Sequence, residues 1–548
     1  MIQKIDGSCY IDLMHSGIKN LERYRSKLND LNVFPVPDGD TGTNMVMTLR
    51  SGYEAIKNQS ASVSDISGRF SSAAVFGARG NSGVIVSQFF KGLSEGLKGL
   101  DYASPDDFAN ALQNGCKFAY ASVAQPVEGT MLTVIKDASA AVMKELPLQS
   151  INSVIDIFLL EARVSLARTP DLLPILKKAS VVDSGGSGIV CFFEGVKKHL
   201  NGEEIENAEE AVSTGEYVDL SMFNKDTDFK YGYCCESLLQ LKMDVCDFDH
   251  KTFKATLMEL GESVVSSLEG DKVKLHIHVK QLSPLMEYCQ RYGEFLTIKI
   301  ENMSVQNLQK ESEEKEKEIK KFLYDEDREP SETAVIAVAS NQYMQECFFN
   351  MGADVVILSE IAPSSQDFMD AFEIASSKNI IVFPNSANSI LSAMQAGSLY
   401  KKSKVTVLNS RSIAECYAIL SILDFEGTVD EAITLANDTL SSIYQFSIYQ
   451  AVRDVKYGDR SIDKNDFFAL SNSKILDVED TLEAITLHTI DGILKKQDYE
   501  VITLFYGKSV SDEYIESLVE KLNEMGHDAE FATVSTFETL YDITVTFE

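Results

Sequence analysis

The sequence lacks several patterns that define common classes of protein. Its nine cysteines are scattered and form no CxxC pair, which argues against a zinc ribbon or a thioredoxin-type motif. No uncharged apolar stretch approaches the roughly 18 residues that a membrane span requires, and the N-terminus lacks the basic-then-apolar pattern of a signal peptide. We therefore expect a protein of the reducing cytoplasm without a transmembrane helix.

Positive charge is also scarce in this chain. It has 50 Lys and Arg against 83 Asp and Glu, a formal net charge of −33. Such a surface repels phosphate polyanions unless metal ions or local basic groups intervene, so we do not expect nucleic acid as a partner. The 548 residues provide for three or four domains at roughly 150 residues each.

The first region of the chain has apolar residues at helical spacing. Ser104-Pro105 and Thr169-Pro170 are typical of helix starts, each with a capping residue followed by proline. No convincing strand pattern occurs before the acidic stretch 201–230, which we interpret as a linker. The sequence therefore predicts an all-helical domain over 1–205.

Strand patterns begin after the linker. A small α+β domain is predicted over 206–328, with strands near 229–239 and 273–279 and a helix over 251–268 between them. Strands then alternate with helices, which predicts an α/β domain over 329–548 with a parallel sheet, and this domain has room for two lobes. Its predicted strands are Ala334–Ala339, Val355–Leu358, Ile380–Phe383, Val405–Leu408, Tyr499–Tyr506, Glu530–Val534 and Asp542–Phe547.

The most informative stretch is Leu31–Met45, which we call the first loop. Two prolines stiffen it, two glycines permit tight turns, and Asp38 and Asp40 offer carboxylates just before a helix. Such hard oxygen ligands suit Mg²⁺, although a bare Asp-Gly-Asp would be an ordinary capped turn. The helix start adds polar donors that favour an anion, from Thr41, Thr43 and Asn44.

Three further loops offer similar donors, and we name them second (76–84), third (128–132) and fourth (182–188). Glycine-rich turns that lead into helices can hold a phosphate, although neither a P-loop nor a GxGxxG turn occurs in this chain. Together the loops predict a nucleotide held between helices. Their candidate residues are Arg79, Gly80, Asn81, Ser82, Gly83, Gly129, Thr130, Met131 and Asp183.

These four loops together resemble the nucleotide-binding subunit of the dihydroxyacetone kinase family, and the catalytic subunit of the bacterial fatty acid kinase family more closely. The resemblance covers essentially the whole chain and implies an N-terminal helical barrel that holds ATP with two Mg²⁺ ions on Asp38 and Asp40. It also implies a central domain and a C-terminal domain like the DegV-type fatty-acid-binding proteins. The dihydroxyacetone kinase pattern has a further aspartate near the position of Asn32, so a third carboxylate ligand is not assigned.

A second constellation comprises Cys234, His276 and His278 in the central domain. On a strand, residues two apart share a face, so the imidazoles project together with Cα atoms about 6.6 Å apart. They could share a metal ion, with Zn²⁺ the best fit to a Cys/His/His set, or hold one substrate group. An edge strand with two exposed polar residues is the alternative. The resemblance implies an essential histidine pair and a cysteine at these positions.

The reaction that the resemblance implies is transfer of phosphate from ATP to a fatty acid, giving an acyl phosphate for phospholipid synthesis. A separate DegV-type fatty-acid-binding protein would present the acid and dock on residues 330–548, and a homodimer is expected. Two alternatives stay open at this point. One is a kinase of a small hydroxy-carbonyl substrate such as glycerone, and the other is a non-catalytic nucleotide-sensing scaffold.

Overall fold

The protein forms two compact units, Met1–Glu210 with Lys321–Glu548, and Ala211–Lys320. The predicted domain boundaries at 205 and 328 stay predictions, and most of the acidic linker lies outside the described residues. The computed structural model describes residues 2–32, 39–179, 181–203, 205, 233–242, 248–269, 271–302, 320–327, 331–423, 427–451, 454–457, 460–471, 474–539 and 541–548.

The first unit begins with a helical region, as predicted for the N-terminal part of the chain. Its helices are α1 Gly7–Arg23, α2 Arg25–Leu31, α3 Thr41–Glu54, α4 Val63–Phe76, α5 Gly80–Gly96, α6 Pro105–Ala121, α7 Met131–Lys144, α8 Ile151–Leu172, α9 Pro174–Ala179 and α10 Ser184–Leu200. They share one apolar core, in which Phe89, Phe90, Phe192 and Phe193 pack with their rings edge to face. Among the described residues, no helix is both long and apolar enough to cross a membrane.

The two predicted helix starts have different outcomes. Ser104 and Asp107 form a reciprocal capping box before α6, with the Asp107 N–H 3.2 Å from Ser104 Oγ, so this start is confirmed. The start at Thr169-Pro170 is wrong, because both residues belong to the last turn of α8. Proline lacks the N–H that would bond the Leu166 carbonyl. The Thr169 hydroxyl donates to that carbonyl instead, at 2.7 Å, and the helix continues.

Helix α1 packs closely against the second half of α10, the helix that begins in the fourth loop. A Cβ at Gly195 would lie 2.4 Å from the Ser16 carbonyl oxygen, and one at Gly17 would lie 2.5 Å from the Phe192 ring. Only glycine permits this approach, since real Cβ contacts are never so short. The two backbones therefore touch directly.

The second unit is an antiparallel sheet with two helices. Its elements are β1 Tyr233–Leu241, α11 His250–Leu260, β2 Glu262–Glu269, β3 Lys272–Val279, α12 Leu282–Gln290 and β4 Gly293–Asn302, with strand order β2-β3-β1-β4. The helix predicted over 251–268 is wrong in its second half, which forms β2. Gly261 ends the helix in an extended conformation, and a Cβ there would lie 2.2 Å from the His278 carbonyl oxygen.

The first unit continues with an α/β region of two lobes. The first lobe has a five-stranded sheet of order β5-β7-β6-β8-β9, parallel except at β5, which confirms the predicted parallel strands. Its elements are β5 Phe322–Tyr324, β6 Thr333–Ala339, α13 Gln342–Asn350, β7 Val355–Leu358, α14 Ser365–Ala375, β8 Asn379–Phe383, α15 Ala387–Leu399, β9 Lys404–Val407, α16 Ile413–Ile422 and α17 Val429–Ser442.

The second lobe contains a mixed six-stranded sheet of order β14-β13-β10-β17-β15-β16. The strands predicted near residues 499, 530 and 542 are present, but only the first two pair in parallel, so the parallel sheet predicted for the whole of 329–548 is wrong in this lobe. Its elements are β10 Tyr444–Gln450, β11 Val455–Tyr457, β12 Arg460–Ile462, β13 Phe467–Ser471, β14 Lys474–Glu479, α18 Leu482–Leu494, β15 Val501–Tyr506, α19 Asp512–Glu524, β16 Glu530–Ser535 and β17 Ile543–Phe547.

Candidate functional site

In the first loop, Asp40 is the residue immediately before α3. Gly39 takes a left-handed conformation with φ +39°, and the Asp40 carbonyl accepts the Asn44 N–H at 2.8 Å. The Asp40 carboxylate therefore lies at the N-terminus of a helix. Asp38 lies outside the described residues, so its role as a Mg²⁺ ligand stays a prediction.

Asn29 on α2 forms two hydrogen bonds with Thr43 in the first turn of α3. Its Nδ2 donates to Thr43 Oγ1 at 2.9 Å, and its Oδ1 accepts the Thr43 N–H at 3.1 Å. The Thr43 hydroxyl thus has a protein partner, and Thr41 is only 8% exposed. Of the polar groups predicted on this loop, Asp40 and Asn44 keep the clearest capacity for a ligand.

Asn44 carries an unusual buried acceptor. The side chain is 1% exposed, and its Oδ1 has no hydrogen-bond partner among the described residues. Leaving such a group unpaired costs about 1–3 kcal/mol, so a bound ion or a ligand donor would satisfy it. A Cβ at Gly80, whose φ is +58°, would lie 2.3 Å from Asn44 Nδ2. The first and second loops are therefore in direct contact.

The Asp40 carboxyl has partners on two sides. Burial raises its pKa, while hydrogen bonds from the side chains of Asn44 and Asn388 act in the opposite direction. The Asn388 bond, from Nδ2 to Asp40 Oδ2, is 3.2 Å long and comes from the start of α15 in the α/β region. Asn388 is a residue that the sequence analysis missed.

Some residues of the second loop contact the α/β region, and others pack within the helical region. Arg79 Nη1 donates to the Ala362 carbonyl at 3.2 Å and lies 3.5 Å from Asp367 Oδ2, and Asn81 Nδ2 donates to Asn388 Oδ1 at 3.3 Å. The guanidinium of Arg79 thus already has protein partners. Its predicted role as a phosphate ligand stays a prediction. Ser82 is half-buried, and a Cβ at Gly83 would lie 2.4 Å from Thr48 Oγ1.

The third and fourth loops meet at Asp183. This residue caps α10 by accepting the Gly186 N–H at 2.6 Å, and it also accepts the Met131 N–H at the start of α7. Burial raises the pKa of Asp183 to about 6, although these hydrogen bonds oppose the rise. Gly129 has a φ of +85° and donates its N–H to Thr133 Oγ1, while the Thr130 hydroxyl donates to the Val127 carbonyl at 2.8 Å.

Further contacts join the fourth loop to α2 and to the first loop. Ser184 Oγ donates to the Leu28 carbonyl at 2.6 Å, and a Cβ at Gly188 would lie 2.5 Å from Met45 Sδ. The starts of α3, α5, α7 and α10 are thus linked by direct contacts between their loops. Four helix N-termini are therefore linked through their loops, and helix dipoles favour an anion at such ends, a position that the Asp183 carboxyl already takes at α7 and α10.

The second unit carries the Cys/His constellation. In the backbone register Cys234 lies directly opposite His278, and His276 lies two residues before it on the same strand. Cys235 pairs with Ile277, and both are buried. Backbone register alone does not test metal binding, which stays a prediction.

Three family models together match most of the chain. A DAK2 domain matches residues 35–198, the middle domain of FakA-like fatty acid kinase proteins matches 230–310, and the C-terminal domain of the same proteins matches 334–548. Two solved structures match smaller parts. One is the dihydroxyacetone kinase from C. freundii with AMP-PNP and Mg²⁺, 12% identical, covering 41% of this chain and 50% of that one at a TM-score of 0.33.

The other solved structure is the Streptococcus pneumoniae Fatty Acid Kinase (Fak) B3 protein loaded with linoleic acid, 15% identical, covering 40% of this chain and 99% of that one at a TM-score of 0.31. Both scores are too low to carry an argument. An uncharacterised protein of Staphylococcus haemolyticus is 36% identical over 97% of each chain, and one of Staphylococcus epidermidis is 33% identical over 97% of each. By its three matched domains and these full-length relatives, the chain belongs to the family of FakA-like fatty acid kinase proteins.

Proposed function

We propose that this protein transfers the γ-phosphoryl group of ATP to the carboxylate of a fatty acid, giving an acyl phosphate and ADP. A DegV-type fatty-acid-binding protein presents the acid, and the acyl phosphate feeds phospholipid synthesis. One carboxylate oxygen forms the new bond to phosphorus as the bond from phosphorus to the ADP oxygen breaks. Membership of the FakA-like fatty acid kinase family supports this reaction.

One observation carries the nucleotide part of the proposal. The starts of α3, α5, α7 and α10 are linked through their loops, and α3 begins with Asp40 and carries the unpaired Asn44 Oδ1, in a chain whose net charge is −33. An acidic protein that binds ATP needs a local region of positive potential, and helix dipoles contribute to it without basic side chains. The Asp183 cap and the Gly80 turn hold two of these helix starts in position.

The residues at this end of the helical region fit a hard cation bound together with phosphates. Asp40 offers a carboxylate and Asn44 an amide oxygen, which are ligand types that Mg²⁺ prefers. Asp40 and Asn44, together with the sequence-predicted ligand Asp38, would hold the metal. We propose two ions because the family resemblance implies two. Mg²⁺, when bound, neutralises phosphate charge that would otherwise repel the acyl carboxylate.

The acceptor requires little activation. A carboxylic acid with a pKa near 4 to 5 is already ionised at pH 7, so no general base is needed. The chain's contribution is positioning and charge neutralisation, which dominate phosphoryl transfer. We assign the acyl carboxylate to His276 and His278, either directly or through Zn²⁺ held with Cys234. We propose that the carrier protein docks on residues 330–548 and that the active protein is a homodimer.

The direct test uses the purified full-length chain with Mg²⁺ and ATP. Fatty acid is supplied free or loaded on a DegV-type carrier, and acyl phosphate is trapped with hydroxylamine while ADP is measured. We expect both products only with the loaded carrier. Turnover with glycerone and none with the loaded carrier would favour the small-substrate kinase. Nucleotide binding without any turnover would favour the nucleotide-sensing scaffold.

A further inference from the structure

The first lobe of the α/β region packs directly on the second loop. Gln395 on α15 donates to the Val75 carbonyl at 2.7 Å and accepts from Gln88 Nε2 at 2.7 Å. The Ser365 N–H at the start of α14 donates to the Ala78 carbonyl at 3.2 Å. Ser365 is fully buried and Gln395 is 9% exposed, so these hydrogen bonds are shielded from water. They hold the lobe against the region between α4 and α5.

A charged group extends this contact. Asp367, 5% exposed, accepts from Lys321 Nζ at 2.6 Å and from the Ser364 N–H at 2.8 Å, and Arg79 lies 3.5 Å away. The lobe therefore holds the residue that immediately precedes Gly80. Because Gly80 packs on Asn44, the lobe restrains the geometry of the candidate nucleotide site from its outer side.

One side chain of the lobe reaches the site itself. Asn388 is the second residue of α15, and its N–H is held by Ser386 Oγ at 3.2 Å. Its amide oxygen accepts from Asn81 and its amide nitrogen donates to the Asp40 carboxylate. A single amide thus bridges the second loop and the first. It contacts one oxygen of Asp40 and adds no charge that would compete for a cation.

We propose that Asn388 is a positioning residue for the Asp40 carboxylate, so that the α/β region controls how well the helical region binds Mg²⁺ with a nucleotide. This inference rests on the proposed function of Asp40. A carboxylate fixed by a donor on one oxygen loses less rotamer freedom when its other oxygen binds a cation. The contact also gives the region assigned to carrier docking a direct connection to the nucleotide site.

The test measures binding of AMP-PNP to the full-length chain by calorimetry, with Mg²⁺ and with a chelator. Asn388→Ala is expected to weaken binding about tenfold in Mg²⁺, the effect of losing one hydrogen bond to a charged group, and to change it little in chelator. Gln395→Ala breaks a bond at the same contact without touching Asp40. It should lower the melting temperature while the ratio of the two affinities stays unchanged. Met394→Ala, at an exposed residue of α15, is the control for truncating a side chain on this helix.

The outcomes separate this inference from the function on which it rests. A wild-type chain that binds AMP-PNP no better with Mg²⁺ than without it would overturn both. Normal Mg²⁺-dependent binding that Asn388→Ala leaves unchanged, or lowers no more than Gln395→Ala does, would overturn the positioning role alone. Asn388→Leu keeps the branching of the side chain at a somewhat larger volume and loses both hydrogen bonds. It repeats the test if the alanine variant folds poorly, and it must show the same Mg²⁺-specific loss.

Discussion

Asp40 and Asn388 lie 348 positions apart in the sequence, and the Asn388 amide donates a 3.2 Å hydrogen bond to the Asp40 carboxylate. The two residues belong to segments matched by separate family models, 35–198 and 334–548. The α/β region therefore forms part of the wall of the candidate nucleotide site. Removing or displacing that region would change the surroundings of Asp40.

The first prediction concerns the charge of Asp40. Asp40→Asn keeps the shape of the side chain and removes the negative charge that would attract Mg²⁺, so Mg²⁺-dependent nucleotide affinity should fall at least about tenfold. Calorimetry with AMP-PNP measures the loss. Asp6→Asn is the matched control, because Asp6 also precedes a helix and caps it without belonging to the four loops. Unchanged affinity in Asp40→Asn would remove Asp40 from the metal site.

The second prediction concerns the Arg79–Asp367 pair. Asp367 is buried, which would raise its pKa, but the Lys321 hydrogen bond and the nearby positive charges hold its pKa below the usual value. The Asp367 carboxyl is therefore ionised in the folded protein. Asp367→Ala should lower the free energy of unfolding by about 2 kcal/mol and Arg79→Ala by about 1 kcal/mol.

A double-mutant cycle decides what Arg79 does. If the pair stabilises the contact, the two effects in denaturant unfolding are non-additive, and Arg79→Ala lowers nucleotide affinity no more than Asp367→Ala does. If Arg79 binds phosphate, as the sequence predicted, Arg79→Ala loses nucleotide affinity and the stability effects simply add. The partners seen for the guanidinium favour the first result.

Short-range patterns predicted most of the fold. The strand Val355–Leu358 was predicted with its observed bounds, because a short apolar run between turn residues has few other interpretations. The stretch 262–269 was missed, since its residues also continue the preceding helical pattern. Its pairing with β3, which lies beyond it in the chain, decides the outcome. The helix start predicted at Thr169-Pro170 is wrong because the Thr169 hydroxyl compensates for the N–H that proline lacks.

Long-range contacts at the candidate site could not be predicted in the same way. The four loops were found from their glycines, acids and hydroxyl groups, which carry a local signal. Asn388 and Asp367 carry none, because an asparagine or aspartate in the first turn of a helix is an ordinary capping pattern. Only the packing of the α/β region on α5 brings them to the site.

The third prediction concerns pH. Burial raises the pKa of Glu538 to about 7 from 4.5, and its carboxylate faces Ser340 and Asn341. The folded state then binds a proton more tightly than the unfolded state does. The free energy of unfolding therefore falls as pH rises from about 4.5 to about 7 and is flat above that.

Glu538→Gln removes this penalty. The variant should be more stable than the wild type by about 1–3 kcal/mol at pH 8 and should lose the advantage at pH 5. Melting temperatures of both proteins across this range give the measurement. Glu530→Gln, at an exposed glutamate of β16, is the control for removal of one negative charge. A stability difference between Glu538→Gln and wild type that does not vary with pH would contradict the assignment.

The fourth prediction concerns the carrier protein. A net charge of −33 creates a long-range field that would speed association with a basic carrier surface. The association rate constant with a DegV-type carrier should therefore fall as ionic strength rises from about 0.05 M to about 0.5 M, over which the Debye length shortens severalfold. Stopped-flow fluorescence gives the rate. A rate that does not depend on salt would show that charge does not steer this encounter.

The fifth prediction concerns Cys234, which lies opposite His278 in the sheet, and its neighbour Cys235, which is 2% exposed and pairs with Ile277. Elemental analysis of the full-length protein should find one zinc per chain, lost in Cys234→Ser and in His276→Ala and retained in Cys235→Ser. The Cys235 variant is the matched control because it removes the adjacent thiol, at a residue that pairs with Ile277 instead of His278. Zinc that survives in Cys234→Ser would contradict the three-ligand site. A zinc-free wild type whose activity is lost in His276→Ala would instead assign the histidines to direct contact with the acyl carboxylate or the phosphate.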